Sequence, residues 1–374
     1  MSYAKCIKNI KIDYKIVLID KSKHEVYDKG TTEVNVYVND YQKHVRRKTA
    51  ELQGFPILIS GRKKHMNKRK MIAALTATAV MTGAMAVTAG AEGHVFGYTC
   101  MDLTNPFHIA MRDAMQEAIE ANGDTLISID GQSQQIKQND VIEDLITQGI
   151  EVLFLNPVDS ASVQPELEAC ASAGIPVINV DSAVQDRSLI ATYIASNNVE
   201  AGRQCGEEIV KLFPDGCNIC VIENPLAESV VQRVQGLEEA IEGTECKIID
   251  RKSISTMDAV LGNAEDILTA NDHIDVFWGL NDDVSLIIQG AVESAGRAEE
   301  IKVVSVDGSP SGKTSVADGG LYATAAQSPV SIGEKAVECA YTLLDGGEVD
   351  AEYSLDTTLV TSENVADMTP DQWN

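Results

Sequence analysis

VLFLNPVDSASVQPELEACASAGIPVINVD, residues 152–181, decides the fold. A short apolar run, VLFL, stops at Asn156, an amphipathic stretch closes on Gly174, and a second β-branched run, PVINV, stops at Asp181. Strand, helix and strand over such a span make a βαβ unit, whose two strands run parallel because the helix carries the chain back across the sheet. The same grammar recurs: HVFGYT leads to Asn105, ICVI to Glu223, VFWGL to Asn281, VVSV to Asp307 and ATAA to Gln327. In an open α/β sheet ligands lie outside the carboxyl ends of the strands, so these polar stops are candidates to line one site. None of them pairs a nucleophile with a base. The pattern suits holding a molecule rather than converting one.

Working outward, strands are predicted over 94–99, 125–129, 152–155 and 176–180, then 218–222, 246–250, 275–279 and 302–306. Helices are predicted over 106–122, 135–148 and 161–173, then 198–213, 227–242, 258–271 and 282–295. Strand and helix taking turns at this spacing predict an α/β class with parallel sheets and helices on both faces. Pro106 sits at a first-turn position after Asn105, and Gly123 and Gly174 stand where helix C-terminal caps belong. No Pro-rich linker, fixed-period repeat or low-complexity tract divides the halves, so strands are expected to cross directly between two lobes.

The chain carries 30 Lys and Arg against 56 Asp and Glu, unevenly spread. Residues 1–70 hold 17 basic and 7 acidic side chains, which leaves 13 basic against 49 acidic for the rest. So acidic a body repels phosphate backbones and anionic lipid, which excludes nucleic acid as a partner.

Between the two compositions lies MNKRKMIAALTATAVMTGAMAVTAGAEG, starting at Met66. Lys68, Arg69 and Lys70 form a positive leader, Met71 to Val87 an apolar stretch of small side chains, and Ala89-Gly90-Ala91 an A-x-A cleavage site. Residues 66–91 therefore read as a cleaved secretory signal peptide, and the mature protein is expected outside the cytoplasm, periplasmic or extracellular. Export signals are read at the extreme N-terminus, so residues 1–65 read as an upstream extension foreign to the natural protein. A cytoplasmic domain ahead of a membrane anchor is the alternative, and 65 residues with few aromatics make a thin core for it.

Seven of the eight cysteines follow the signal, an odd number that excludes a complete disulfide framework. Cys217-Asn-Ile-Cys220 is a CxxC without a second ligand pair, and no GxGxxG, Walker loop, HExxH or EF-hand spacing occurs. No metal or cofactor is expected.

The ordered series CMDLTNPFHIAMRDAMQEAIEANG, LITQGIEVLFLNPVDS, ACASAGIPVINVDS, IASNNVEAG, FWGLNDD, VVSVDGSP and ATAAQSPVSIG resembles the ribose-binding, type I periplasmic sugar-binding proteins of ABC transporters, from about His94 to Val365. The resemblance implies two Rossmann-like lobes joined by three hinge crossings near Ser196, Gln327 and Asp356. It gives residues 92–196 plus 328–356 to an N-terminal lobe and 197–327 plus 357–374 to a C-terminal one. It also implies a monomer that captures a sugar or polyol between the lobes and delivers it to an ABC transporter permease. A sensory module of the same fold, signalling to a chemoreceptor or membrane kinase, is the alternative.

Residue by residue, the resemblance makes Asn105, Phe107, Asp181, Arg233, Asn281, Asp307 and Gln327 ligand-binding residues. Each also has a plainer reading: Asn105 as an N-cap, Phe107 as a staple, Asp181-Ser182 and Asp307-Gly308 as turns, Asn281-Asp282 as a cap, and Arg233 as a partner for Glu238. The chain departs from the ribose-binding pattern at four positions. His108 replaces a second aromatic, Ser182 an arginine, Met257 a stacking aromatic and Val306 a phenylalanine. His108 and Met257 are still expected at the ligand. Amides and carboxylates suit a hydroxyl-rich ligand because each hydroxyl both donates and accepts.

Overall fold

The computed structural model describes residues 93–369 and 372–373, so the readings of 1–65 and of the export signal at 66–91 fall outside the described residues. The first sheet is built from β1 (Val95–Cys100), β2 (Thr125–Asp130), β3 (Val152–Leu155), β4 (Val177–Val180) and β5 (Thr192–Ser196). Its helices are α1 (Pro106–Ala121), α2 (Gln135–Thr147) and α3 (Gln164–Ala173). A second series follows: α4 (Asn198–Leu212), β6 (Asn218–Glu223), α5 (Glu228–Ile241), β7 (Lys247–Ser253), α6 (Asp258–Ala270) and β8 (Val276–Gly279). It continues through α7 (Asp282–Ser294), β9 (Lys302–Asp307), α8 (Pro310–Asp318) and β10 (Ala323–Ala326). The chain ends with α9 (Pro329–Leu344), β11 (Glu352–Leu355) and β12 (Thr358–Thr361).

The strands form two six-stranded sheets in the orders β11-β5-β4-β3-β1-β2 and β12-β10-β9-β8-β6-β7. The second strand set repeats the order of the first. The chain passes between sheets three times: after β5, after β10, and between β11 and β12. All pairs are parallel except β10 with β12, a departure from the all-parallel expectation. Direction explains it. β11 runs parallel to β5 toward the carboxyl edge of the first sheet, so a strand entering the second sheet through that same edge must run back against β10.

Period-two alternation along the strands feeds both faces of the first sheet. Phe96, Tyr98, Phe154 and Ile178 pack with α1 and α9 on one side, while Leu153, Leu155 and Val177 pack with α2 and α3 on the other. The second sheet has its own core, with Phe277, Trp278, Val304 and Ile222 fully buried. Two element boundaries differ from the sequence reading for local reasons. α3 starts three residues late because the Asp159 carboxylate accepts from the backbone of Ala161 and Ser162, an Asx turn that holds the chain out of the helix. β7 runs on through Arg251-Lys252-Ser253 because it is an edge strand, alternately exposed along its length, and needs no continuous apolar run.

Candidate ligand-binding cleft

The carboxyl edges of the two sheets face a cleft of about 360 Å³, within the range of about 300–1,000 Å³ usual for small-molecule pockets. Asn105, Phe107, His108 and Asp181 line it from the first sheet's side, and Arg233, Met257, Asn281, Asp283 and Asp307 from the second's. Eight of the nine residues expected at the ligand therefore meet in one cavity. The ninth, Gln327, stands behind Asp307 and is 1% exposed. Glu223, a polar stop like the others, pairs with Arg251 instead. A larger open groove between α7 and α8, about 940 Å³, contains none of these strand-end residues. We assign the site to the smaller cavity on the strength of its chemistry.

On the first side, Asn105 caps α1 by accepting from the Phe107 backbone at 2.8 Å, which leaves its amide nitrogen free to donate. That cap fixes the first turn and sets Phe107 and His108 side by side, their rings edge to face at 5.9 Å. Trp373, near the chain end, lies edge to face on Phe107 at 5.6 Å. His108 donates from Nδ1 to the Asp102 carbonyl at 2.8 Å, and its Nε2 lies 3.1 Å from the Asn156 amide nitrogen. Burial works against a charge on this ring, while the Cys100 sulfur and the Asp181 carboxylate outweigh it and raise its pKa. A second proton would nevertheless have to displace the Asn156 amide, whose single nitrogen also donates to Asp181 Oδ2 at 2.9 Å.

Asp181 takes a positive φ of 61° where β4 ends, held by its own N–H on the Ile194 carbonyl and by Tyr193 Oη donating to its carbonyl. Its Oδ1 is buried and has no donor among the described residues. Asn179 sets the following loop, donating to the Leu155 and Ser182 carbonyls and accepting from Val184 N–H. Ser182 Oγ in turn accepts from the Ser229 N–H of α5 at 3.3 Å, a contact from one side of the cleft to the other.

On the second side, Arg233 is placed by glycines. A Cβ on Gly202 would meet the Arg233 carbonyl at 1.8 Å and one on Gly236 the Val199 carbonyl at 1.9 Å, so α4 and α5 approach as closely as only glycine allows. The guanidinium donates to Asn198 Oδ1 and to the Leu280 carbonyl, each at 2.8 Å, and lies 3.8 Å from Asp307 Oδ1. Glu238, the alternative partner, is paired with Arg251. Asn281 repeats the role of Asn105, capping α7 through the Val284 N–H and keeping its amide nitrogen.

Asp307 has a φ of 132°, and its Oδ1 accepts from Gln327 Nε2 at 2.6 Å. Burial pushes its pKa well above the usual carboxylate value, against the pull of Arg233 and with Asp282 and Asp283 adding to the rise. Asp282, fully buried, braces the strand ends from below by accepting from Ser309 N–H and Thr324 Oγ1. Burial likewise raises the pKa of Asp283, which lines the cleft opposite His108.

Asn156, Asp283 and Asn198 belong to this arrangement without being among the nine residues expected at the ligand. In the sequence Asn156 reads as a strand stop and Asn198 as the start of a helix. Among the described residues, no group of three or more His, Cys, Asp or Glu is disposed to hold a metal, all seven cysteines are buried and unbridged, and no helix is long and apolar enough to cross a membrane.

A family model described as a periplasmic binding protein domain matches residues 96–348. The ribose import binding protein of Escherichia coli K12 is 29% identical over 301 residues, spanning 80% of this chain and 100% of the relative. Among solved structures, an ABC transporter solute binding protein from Mycobacterium smegmatis with bound glycerol superposes with a TM-score of 0.70 at 30% identity, covering 74% of this chain and 96% of that one. The Caulobacter myo-inositol binding protein bound to myo-inositol matches at TM-score 0.70 and 27% identity, with 74% and 96% covered.

Proposed function

The chain belongs to the periplasmic binding protein family, and from that premise we propose that it captures a neutral sugar or polyol between two lobes and delivers it to the permease of an ABC transporter. One observation carries the reading. Strand-end groups from both sheets converge on one cavity as acceptors and donors already half used: Asn105 and Asn281 spend their oxygens on helix caps, and Asp181 and Asp307 each spend one oxygen on a buried amide. What is left is two amide donors and two carboxylate oxygens, Asp181 Oδ1 among them buried and without a donor, the complement of vicinal hydroxyls. Relatives that bind ribose, glycerol and myo-inositol support the ligand class.

In this reading residues 92–196 plus 328–356 form one lobe and 197–327 plus 357–374 the other, with the three passages between sheets serving as the hinge. The lobes close on the ligand and open at the transporter. The protein works as a monomer outside the cytoplasm, exported by the signal at 66–91, and it performs no reaction. Closure suits carriage because a hydroxyl shut away from water without a partner costs about 1–3 kcal/mol, so a mismatched compound is rejected.

The test is calorimetric titration with neutral sugars and polyols beside sugar acids and sugar phosphates. The expected result is one saturable site for a neutral compound, lost in Asp307→Ala. Equal binding of the phosphorylated series would contradict the reading.

A further inference from the structure

Each cleft aspartate is backed by one buried amide, Asp181 by Asn156 and Asp307 by Gln327, and the two amides come from different places, after β3 and after β10, the counterpart of β5. The second sheet repeats the order of the first, so β3 and β4 correspond to β8 and β9. Asn281 and Asp307 thus follow β8 and end β9, as Asn156 and Asp181 follow β3 and β4. The corresponding asparagines have nevertheless diverged. Asn281 caps α7 and reaches the cavity, whereas no helix begins at Asn156, which is 0% exposed and does not line the cleft. Its backbone is fixed at both ends, with N–H on the Thr99 carbonyl and its carbonyl taking Gln138 Nε2, while Gln138 Oε1 receives Val158 N–H. From that anchored position one amide nitrogen touches both His108 Nε2 and Asp181 Oδ2.

We infer that Asn156 is a positioning residue for ligand binding: by donating to Asp181 Oδ2 and His108 Nε2 at once, it fixes the Asp181 carboxylate with Oδ1 unspent and holds the imidazole in place beside Phe107. The inference rests on the sugar-binding reading for its consequence and on the clamp geometry alone for its mechanism. His108 therefore offers the ligand no ring hydrogen, since Nδ1 is spent on Asp102 and Nε2 on Asn156.

Two measurements test this, one of them without ligand. ¹⁵N spectra of the ring nitrogens in the free protein, assigned with His108→Gln, are followed against pH. The ring is surrounded by Cys100 beneath it, Asp102 from its own loop, Asp181 from β4 and Asp283 across the cleft. In its neutral form His108 is expected as the Nδ1–H tautomer, and Asn156→Ala is expected to gain the second proton at higher pH than the unmodified chain, because Asp181 then faces the ring without the intervening amide. Identical titrations in the two proteins would overturn the clamp.

The second measurement is a double-mutant cycle with D-ribose and myo-inositol as probes. Asn156→Ala is expected to weaken binding by about tenfold or more, as loss of a hydrogen bond to a charged group does. In an Asp181→Asn background the same change should cost little further, because its partner is already altered. Full additivity would overturn the proposal, and thermal midpoints of all four proteins separate loss of fold from loss of positioning. Failure of both probes to bind the unmodified chain would count against the choice of ligand class, and the ring titration would still decide the clamp.

Discussion

Asp181 and Asp307 are two of the four non-glycine residues with positive φ among the described residues, and both lie in the cleft. Such a backbone is uncommon outside glycine and is tolerated by Asp and Asn better than by bulkier residues, so Asn is the substitution that removes the charge while keeping the turn. Asp307→Asn is expected to weaken binding by at least tenfold with little change in fold, measured by titration and circular dichroism. The raised pKa of Asp307 has a further consequence. As pH falls through that value the carboxylate takes up a proton and loses acceptor strength, so affinity is expected to hold above it and to drop below it, by up to about tenfold per pH unit. The drop should begin well above the 3.8 of an ordinary aspartate, and affinity that stays flat down to pH 4 would count against Asp307 as the acceptor. The sequence alone exposed the strand-end residues because the rule for parallel sheets names their location. It did not reveal Asn156 as the support of Asp181 or Asn198 as the partner of Arg233, since those contacts join residues 25 and 35 positions apart through side-chain directions that periodicity does not encode.

At the level of elements, the pairing of α4 with α5 carries the most weight, because Arg233 reaches the cleft only while Gly202 and Gly236 let the helices touch. Gly236→Ala drives a methyl into the Val199 carbonyl. It should cost about 1–3 kcal/mol of stability, the usual range for overpacking, and weaken binding as well by displacing Arg233. Gly262→Ala, on α6 with open space around it, should do neither. Thermal unfolding of the two variants makes the comparison. Most strands and helices up to β9 were legible as alternating apolar runs and amphipathic stretches. β5 was not assigned, although Thr192–Ser196 is buried along its length, because Tyr and Ser interrupt the apolar signal. The reversed β12 was invisible for another reason: strand direction follows from where the chain re-enters the sheet, which residue type does not record.

At the level of the whole molecule, the two halves are tied across the cleft by few polar contacts: Ser182 Oγ with Ser229 N–H, and Ser160 N–H and Oγ with the Leu226 carbonyl. Ser182 stands where the resemblance implies an arginine, so a short hydroxyl spanning the cleft occupies the place of a long donor. Ser182→Ala should destabilise the closed form by about 0.5–1.5 kcal/mol, seen as faster ligand release with a nearly unchanged association rate. The chain end adds a further link. The carbonyls of Thr369 and Gln372 accept from Lys313 on the second side, while Trp373 rests on Phe107 of the first. The central claim is that the two lobes close around a neutral polyhydroxy compound, and thermal unfolding against a panel of pentoses, hexoses, polyols, nucleosides and furanosyl compounds tests it most directly. A compound at about 100 times its Kd adds about 2.7 kcal/mol, a shift of a few degrees in a protein of this size. The account predicts a saturable rise with one neutral member of the panel, abolished by Asp307→Ala. No rise with any of them, or the same rise in the variant, would contradict it.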